Sequence, residues 1–292
     1  MRGNDYAKKD GHTHTKWSHH GSNQSLEEYI ERAIALGFDE YTVSEHAPLP
    51  LDFLKNSIGP IDDSAMHWEE LNDYQAEVTR LKKKYAAKIN IKQGFEIDYI
   101  ADYEPQIRAF LRDNSDWIDE IVLSVHFMKN RAGQLYGIDY SPELLAEGFK
   151  LELANPQELF QRYYATLAQS VEFITGLPQN INIRIGHMTL IRKYQKYFDL
   201  PDFDHKIYST IRDILEMLHN RHYQLDFNAA GISKPYNGEP YPSLDIAKAA
   251  HEMGITLVYG SDAHQVQDVG QHFDIIQQAM QSFDKIVHDE QA

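Results

Sequence analysis

The spacing of hydrophobic and polar residues changes from block to block along the chain, and successive blocks predict helices and strands in turn. Between Ser25 and Gly37 the apolar residues recur at helical spacing, and Ser25 with Glu28 has the pattern of a capping box. Phe38–His46 follows as a short apolar run that becomes polar at its last two residues, as a buried strand does at its end. These two blocks therefore predict a helix followed by a strand.

This unit recurs about seven times along the chain, a pattern that predicts a parallel sheet with helices packed outside it. No solenoid repeat and no linker rich in Pro or Ser interrupts the pattern, so residues 1–292 are predicted to form a single domain. The predicted strands are Asp10–His14, Phe38–His46, Ile89–Glu96, Ile118–His126, Ile181–His187, Tyr223–Asn228 and Ile255–Asp262. The predicted helices are Ser25–Gly37, Met66–Tyr85, Glu104–Arg112, Gln157–Gly176, Ile207–Asn220, Ser243–Met253 and Val266–Ser282.

Nearly every predicted strand ends in an ionisable side chain, and this favours a closed barrel over an open sheet. In a (β/α) barrel the carboxyl ends of all the strands meet at one mouth, where active sites of this architecture lie. An open doubly wound sheet would spread the same residues along a crevice. The irregular passage 127–155 is too long for a simple connection, and we expect it to lie over the mouth as a lid or substrate loop.

The chain is acidic and contains no cysteine. Its 28 basic and 44 acidic side chains give a formal net charge of −16, which disfavours binding to nucleic acid or to anionic lipid. The lack of cysteine excludes disulfides, thiolate nucleophiles and sulfur-ligated zinc. Neither a membrane-spanning run nor an export signal within Met1–Lys9 is predicted, so we expect a soluble, cytoplasmic protein.

The polar residues at the strand ends are of the kinds that bind metal ions. His12 and His14 lie two residues apart, so both imidazoles point to the same side of an extended strand and can chelate one ion. Imidazole and carboxylate together suit zinc, iron or manganese. One such pair occurs by chance in a chain with 15 histidines, but other strands end similarly. The whole set predicts a polynuclear metal site. The further candidate ligands at strand ends are Glu96, His126, His187, Asp262 and His264.

Taken in order, the motifs of the chain resemble the PHP superfamily, named for polymerase and histidinol phosphatase, and most closely its monofunctional histidinol-phosphatase branch. The resemblance extends from about Asp10 to about Ala279, and Ser44–Pro50 and Glu239–Ser243 are its branch-level features. The motifs are His12-Thr13-His14, His20-Gly21, Ser44-Glu45-His46-Ala47-Pro48, Gly94-Phe95-Glu96, Ser124-Val125-His126, Gly186-His187 and Gly260-Ser261-Asp262-Ala263-His264.

The resemblance implies a distorted (β/α)7 barrel with a trinuclear metal centre. One ion would be bound by His12, His14, Glu96 and Asp262. Glu96 would bridge to a second ion bound by His126 and His187, and a third ion would be bound by His20, His46 and His264. The chain has Ser18-His19 where many relatives have Cys-Pro, so His19 is an alternative ligand for the third ion. The position of His20 relative to His14 matches the family pattern, and we favour His20.

The resemblance also implies an activity, the hydrolysis of L-histidinol phosphate to L-histidinol and phosphate in histidine biosynthesis. The physics of such a centre agrees, because coordinated water has a pKa of about 7 and a hydroxide that bridges two ions can attack phosphorus. Glu96, Asp262 and His264 are the predicted catalytic residues, with Asp262 or a coordinated water as the source of the leaving-group proton. No side-chain nucleophile is needed.

Cations near the strand ends are candidates for binding the substrate phosphate, because guanidinium and ammonium groups pair with phosphate oxygens. These are Arg192, Lys193 and Lys234, each of which could equally be a solvated loop residue. Two other functions stay open. The same centre could hydrolyse another small phosphomonoester or a short nucleotide phosphodiester, although the negative charge argues against a nuclease. The protein could also bind metal without catalysis, although the complete ligand set argues against that.

Overall fold

A computed structural model of the chain describes residues 8–56 and 64–290. Most of the first nine residues, on which the expectation of no export signal depends, lie outside these ranges. Apart from β5 and β6, the described strands form one parallel sheet of seven in the order β1-β2-β3-β4-β7-β8-β9. In chain order the strands are β1 (Lys9–Asp10), β2 (Glu40–His46), β3 (Asn90–Asp98), β4 (Glu120–Ser124), β5 (Phe127–Lys129), β6 (Leu135–Gly137), β7 (Asn182–Ile185), β8 (Gln224–Asn228) and β9 (Leu257–Gly260).

The two outer strands of this sheet meet and nearly close it into a barrel. Beyond β1 the chain runs beside β9 and the residues that follow it, where the Gly11 N–H donates to the Tyr259 carbonyl across 2.8 Å. Farther along, the Asp262 N–H donates to the His12 carbonyl across 2.7 Å, and the His14 N–H donates to the Ala263 carbonyl across 2.8 Å. The predicted barrel of parallel strands is therefore confirmed.

Helices connect the strands and cover the outside of the barrel, as the sequence pattern predicts. The capping box at Ser25 is present, since Ser25 Oγ accepts the Glu28 N–H and the Glu28 carboxylate accepts the Ser25 N–H. Among the described residues, no helix has both the length and the apolar character needed to cross a membrane. The helices are α1 (Leu26–Ala35), α2 (Leu51–Asn56), α3 (Leu71–Tyr85), α4 (Glu104–Asn114), α5 (Pro142–Gly148), α6 (Lys150–Leu153), α7 (Pro156–Phe173), α8 (His205–Arg221), α9 (Ala230–Ser233), α10 (Leu244–Glu252) and α11 (Phe273–Glu290).

The passage 127–155 is more regular than the sequence predicts. It contains the antiparallel hairpin of β5 and β6, followed by α5 and α6. The side chain of Asn130 closes the hairpin turn, because its Oδ1 accepts the N–H groups of Ala132 and Gln134 at 3.0 Å each. Phe127, Asp139 and other residues of this passage line the cavity at the barrel mouth, which agrees with the predicted location.

The main differences from the predicted element boundaries lie at the first strand and at the helices predicted from Met66 and Val266. β1 ends at Asp10, so His12 and His14 follow the strand. The helices predicted from Met66 and Val266 begin later, at Leu71 and Phe273, because short 3-10 turns at Trp68–Glu70 and Val266–Asp268 precede them.

Buried charges cross-link the strands near their amino-terminal ends. Arg184 of β7 and Glu120 of β4 are each 1% exposed at the side chain, and the Arg184 guanidinium donates to the Glu120 carboxylate across 2.7 Å. The same carboxylate pairs with Lys9 and accepts the Thr42 hydroxyl at 2.8 Å. This buried network lies near the strand starts, whereas the predicted ligands lie at the opposite ends.

Candidate metal centre

The predicted metal ligands converge at the carboxyl ends of the strands, where a cavity of about 730 Å³ opens at the barrel mouth. His12 and His14 are fully buried, while the other predicted ligands line the cavity. His46 ends β2 and Glu96 lies in β3, and the remaining ligands follow strands or a 3-10 turn. These remaining ligands are His20, His126, His187, Asp262 and His264.

Glu96 lies at the centre of the group. Its Oε2 is 3.2 Å from Nε2 of both His12 and His14, and 3.3 Å from Nδ1 of His46. Its Oε1 is 2.8 Å from Nε2 of His187 and 3.7 Å from Nε2 of His126. One carboxylate therefore faces imidazoles on both of its oxygens, which is the arrangement that a bridging ligand requires.

A close approach of backbones places Glu96 at this position. A Cβ atom at Gly94 would overlap the carbonyl oxygen of Glu120 on the neighbouring strand, so glycine is needed for β3 and β4 to pair here. Ser124, at the end of β4, then donates its hydroxyl to Glu96 Oε1 across 2.5 Å. The Gly-x-Glu motif in the sequence thus reflects both the packing of the strands and the position of the carboxylate.

A second group of ligands lies beside His14. Asp262 Oδ1 is 3.2 Å from His14 Nε2 and 3.9 Å from His12 Nε2. His264 and His20 face each other with their Nε2 atoms 2.9 Å apart. The possible ligand sets overlap, since His14, His46 and His264 form one set while His46, Glu96 and His126 form another. The side chains are thus close enough to hold several ions, and the division among three ions stays a prediction.

Hydrogen bonds from the outer ring nitrogens orient these imidazoles. Asp226 Oδ2 lies 2.8 Å from His12 Nδ1, and Asp98 Oδ1 lies 2.6 Å from His126 Nδ1. Because a carboxylate accepts the Nδ1 proton in each pair, Nε2 is the nitrogen that faces the centre and would bind a metal ion after losing its proton. Carboxylate–histidine pairs of this kind orient the ligands of metal sites. Neither Asp98 nor Asp226 is predicted as a positioning residue, although both lie near strand ends.

The inner nitrogens of these rings face one another, which fits a bound cation. His12 Nε2 and His14 Nε2 are 3.0 Å apart, and His14 Nδ1 is 3.3 Å from the hydroxyl of Ser18. Ser18 donates its proton to Glu45, so it accepts from His14 Nδ1, and Nε2 is the nitrogen that faces Glu96. Burial lowers the pKa values of His12 and His14, but Glu96 and Asp262 outweigh it and raise both, so this point favours positive charge and a metal ion bound there would displace protons. Among the described residues, the buried His187 Nδ1 also has no hydrogen-bond partner.

The pKa values of the carboxylates suit metal binding. Burial raises the pKa of Glu96, but His46, His12 and His126 outweigh it and hold that pKa well below its usual range. Burial opposes the same effect at Asp262, whose pKa is held well below its usual value by His12 and His14. Both carboxylates are therefore ionised at neutral pH, and their oxygens are available to cations.

The imidazoles differ in protonation according to their neighbours. Burial lowers the pKa of His46 well below its usual value, and burial together with His14 lowers the pKa of His264 to about 3. Burial also acts on His126, but Asp98 and Glu96 outweigh it and raise its pKa to about 10. His46 and His264 are therefore neutral ligands without further change, whereas His126 must release a proton to bind a metal ion.

The structure brings two of the three predicted phosphate-binding cations to the cavity. Lys193 lines it and pairs with Asp139 across 2.9 Å, and the exposed Lys234 also lines it. Arg192 is not among the lining residues, which corrects the prediction. Its guanidinium donates to the Pro201 carbonyl across 3.0 Å and stacks on Phe203 at 4.9 Å. The closeness of Arg192 to His187 in the sequence therefore does not show where its guanidinium points.

Comparison with known proteins identifies the family to which this chain belongs. The family model of the PHP domain matches residues 10–230, and the chain therefore belongs to the PHP domain family. The histidinol-phosphatase of Bacillus subtilis is 36% identical over 263 residues, which cover 90% of this chain and 96% of that protein.

Solved structures agree with this assignment. The crystal structure of the HisK protein of Listeria monocytogenes is 38% identical, with a TM-score of 0.86, and the match covers 92% of this chain and 99% of that one. A histidinol phosphate phosphatase of Lactococcus lactis, complexed with zinc, L-histidinol and phosphate, is 19% identical with a TM-score of 0.67, and 94% of each chain is covered. The second likeness establishes the fold.

Proposed function

We propose that this protein is a metal-dependent phosphomonoesterase that hydrolyses L-histidinol phosphate to L-histidinol and phosphate, a step of histidine biosynthesis. The observation that carries the proposal is the convergence of imidazoles on both oxygens of Glu96 at the barrel mouth. The Bacillus subtilis relative, whose match covers 90% of this chain, is named histidinol-phosphatase. The Lactococcus lactis protein was solved in complex with L-histidinol and phosphate, which are the two products of that reaction.

The chain would hold three divalent ions, of zinc, iron or manganese, in the ligand sets that the resemblance implies. Such ions lower the pKa of bound water and neutralise charge on phosphoryl oxygens. The imidazole and carboxylate donors fit these metals, and several donor atoms lie within 4.8 Å of one another. Glu96 would join two of the sites because its two oxygens face different imidazoles.

Asp262 and His264 would contribute to the reaction as metal ligands. Both line the cavity, and their pKa values lie below their usual ranges, so Asp262 is anionic and His264 neutral at neutral pH. Neither group holds an acidic proton under these conditions. The residues therefore fit ligands better than proton donors, and the leaving alkoxide would receive its proton from elsewhere in the cavity.

The cavity also has charges that match both ends of L-histidinol phosphate. Lys193 and Lys234 would attract the phosphate. Burial raises the pKa of Asp139, but Lys193 and His126 outweigh it and hold that pKa at about 2, so the carboxylate is ionised and can pair with the substrate ammonium. Phe127 offers an apolar surface to the substrate imidazole. This mixture of charges suits a small zwitterionic ester better than a polyanionic strand.

Phosphate release from a panel of esters tests the proposal. The metal-loaded protein would be assayed with L-histidinol phosphate, glycerol phosphate, p-nitrophenyl phosphate and a bis(p-nitrophenyl) phosphodiester at matched concentrations. We expect kcat/KM for L-histidinol phosphate to exceed the others by roughly 100-fold, because recognition of both charged ends contributes a few kcal/mol. Equal turnover of the monoesters, or faster turnover of the diester, would overturn the assignment of the substrate.

A further inference from the structure

A second group of metal-ligating side chains lies outside the set assigned to the catalytic centre. His19, His67 and Glu70 each offer one ligand atom, and these atoms lie within 4.8 Å of one another. None of the three is among the residues that line the cavity. His19 follows the 3-10 turn Lys16–Ser18, whereas His67 and Glu70 belong to the turn that precedes α3. The cluster thus joins two segments that are distant in sequence.

Both imidazoles lie against the same carboxylate oxygen. Glu70 Oε2 is 2.6 Å from His19 Nε2 and 4.0 Å from His67 Nδ1. The two rings stack with their centroids 4.1 Å apart and their planes at 21°. Zinc–nitrogen and zinc–oxygen distances are about 2.0–2.2 Å, so donor atoms around a tetrahedral ion lie about 3.4 Å apart. Small side-chain rotations would bring the three donors to that spacing.

The backbone holds the Glu70 carboxylate near its position. Glu70 Oε2 accepts the backbone N–H of His67 across 2.9 Å, which orients the carboxylate toward the imidazoles. His19 and its neighbour His20 point to different partners, because His20 Nε2 lies 2.9 Å from His264 while His19 faces Glu70. Adjacent histidines therefore serve two different clusters.

The cluster is accessible to ions from solution. The side chains of His19, His67 and Glu70 are 27%, 54% and 31% exposed, so water could complete the coordination of a bound ion. Two imidazoles and one carboxylate form a donor set that suits zinc and related divalent metals. The net charge of −16 also favours the approach of cations over anions.

We propose that His19, His67 and Glu70 form an auxiliary divalent-cation site, separate from the catalytic centre and of lower affinity. An ion at this site would tie the loop that bears His20 to the turn before α3. The proposal does not depend on which phosphate ester the enzyme hydrolyses, because it concerns ligands that lie outside the catalytic cavity.

Calorimetric titration with zinc chloride tests the proposal. The protein would first be loaded with metal at its catalytic centre, exchanged into metal-free buffer, and then titrated with zinc. We expect one further saturable binding event in the unmodified protein. In His67→Ala and Glu70→Gln, the affinity of this event for zinc should fall by at least roughly tenfold. Loss of a residue that only orients a metal ligand already weakens metal binding by about 10- to 100-fold, and these variants lose a ligand itself. His205→Ala, which removes an exposed histidine from the start of α8, would retain the event.

The readouts separate this site from the catalytic one. We expect His67→Ala to keep the catalytic metal content and the rate of phosphate release measured without added zinc, because His67 lies outside the cavity lining. The absence of a further binding event in the unmodified protein would overturn the proposal and leave His19 and Glu70 as a hydrogen-bonded pair. An event of unchanged affinity in both His67→Ala and Glu70→Gln would place the zinc elsewhere and overturn it as well.

Discussion

His12 Nδ1 and Asp226 Oδ2 lie 2.8 Å apart, and both side chains are completely buried. Burial lowers the pKa of His12, but the carboxylates of Glu96, Asp226 and Asp262 outweigh it and raise that pKa well above its usual value. The hydrogen bond holds Nδ1 against Asp226 and turns Nε2 toward Glu96, so Nε2 is the nitrogen that would release its proton to bind a metal ion. Asp226 therefore orients a metal ligand without itself facing the cavity.

We expect Asp226→Asn to weaken metal binding or phosphate release by roughly 10- to 100-fold, the usual cost of altering a residue that orients a metal ligand. The amide keeps the size of the carboxylate, but its dipole replaces the negative charge that supports Nδ1 protonation of His12. Metal content after dialysis and phosphate release at saturating substrate would be measured together. Asp213→Asn, at an exposed position on α8, is the matched control and should change neither.

An unchanged Asp226→Asn variant would show that Asp226 is not needed to orient His12. If Asp226→Asn retained both its metal and its rate, then His12 would keep its orientation through packing alone. The hydrogen bonds that Asp226 accepts from the His187 backbone at 3.4 Å and the Asn228 amide at 3.2 Å would then be its main contribution.

Lys193 and Arg192 are neighbours in sequence but face different surroundings, and this difference predicts different effects on substrate binding. Lys193→Met should raise KM for L-histidinol phosphate by roughly 10-fold or more, because one charge-assisted hydrogen bond contributes about 1.5–3 kcal/mol. Arg192→Ala should change KM by less than about twofold, or about 0.4 kcal/mol, because its guanidinium contacts Pro201 and Phe203 outside the cavity lining. Steady-state phosphate release would be measured for both variants below their unfolding temperatures. A larger rise in KM for Arg192→Ala would contradict the placement.

The fold was predictable from the sequence because alternation of strand and helix patterns extends over the whole barrel. The hairpin of β5 and β6 was not, because each of its strands has only three residues, too few to show a period of two. Asn130 and Gly133 between them are a turn signal that the pattern did contain. The shortness of β5 and β6, more than their composition, therefore prevented the prediction of this hairpin.

Most of the candidate ligands could be predicted because they lie at or just beyond the carboxyl end of a strand, and parallel strands bring these ends together. The residues that orient them could not, because a polar residue near a strand end carries no sign of its partner. Asp226 is such a case, since only the closed barrel brings it to His12, 214 positions away in sequence. Arg192 shows the converse, because its aromatic neighbour Phe203 turns the guanidinium away from the cavity.

The buried pair of Glu120 and Arg184 predicts how stability depends on pH. Burial raises the pKa of Glu120, but Arg184 and Lys9 outweigh it and lower that pKa to about 2 in the folded protein, from 4.5 for an ordinary Glu. A depressed folded-state pKa stabilises the fold above pH 4.5, and this stabilisation is lost as the pH falls toward 2. The shift corresponds to about 3 kcal/mol.

Glu120→Gln should therefore be destabilised by about 3–5 kcal/mol at neutral pH, because Arg184 then keeps a buried charge without its partner. Urea unfolding from pH 7 to pH 3 would measure the difference in unfolding free energy between this variant and the unmodified protein. We expect that difference to shrink below pH 4.5. A constant difference across this range would contradict the role of the charge, and Asp213→Asn should show no difference at any pH.

Removal and return of metal tests whether phosphate release depends on the ions bound at the barrel mouth. The protein would be stripped with a chelator, then titrated with zinc, iron or manganese while bound metal per chain and phosphate release from L-histidinol phosphate are followed together. We expect stripping to abolish release and the rate to return as ions bind, with a maximum when the centre holds three ions. Undiminished phosphate release from metal-free protein would show that the centre is not required for the reaction.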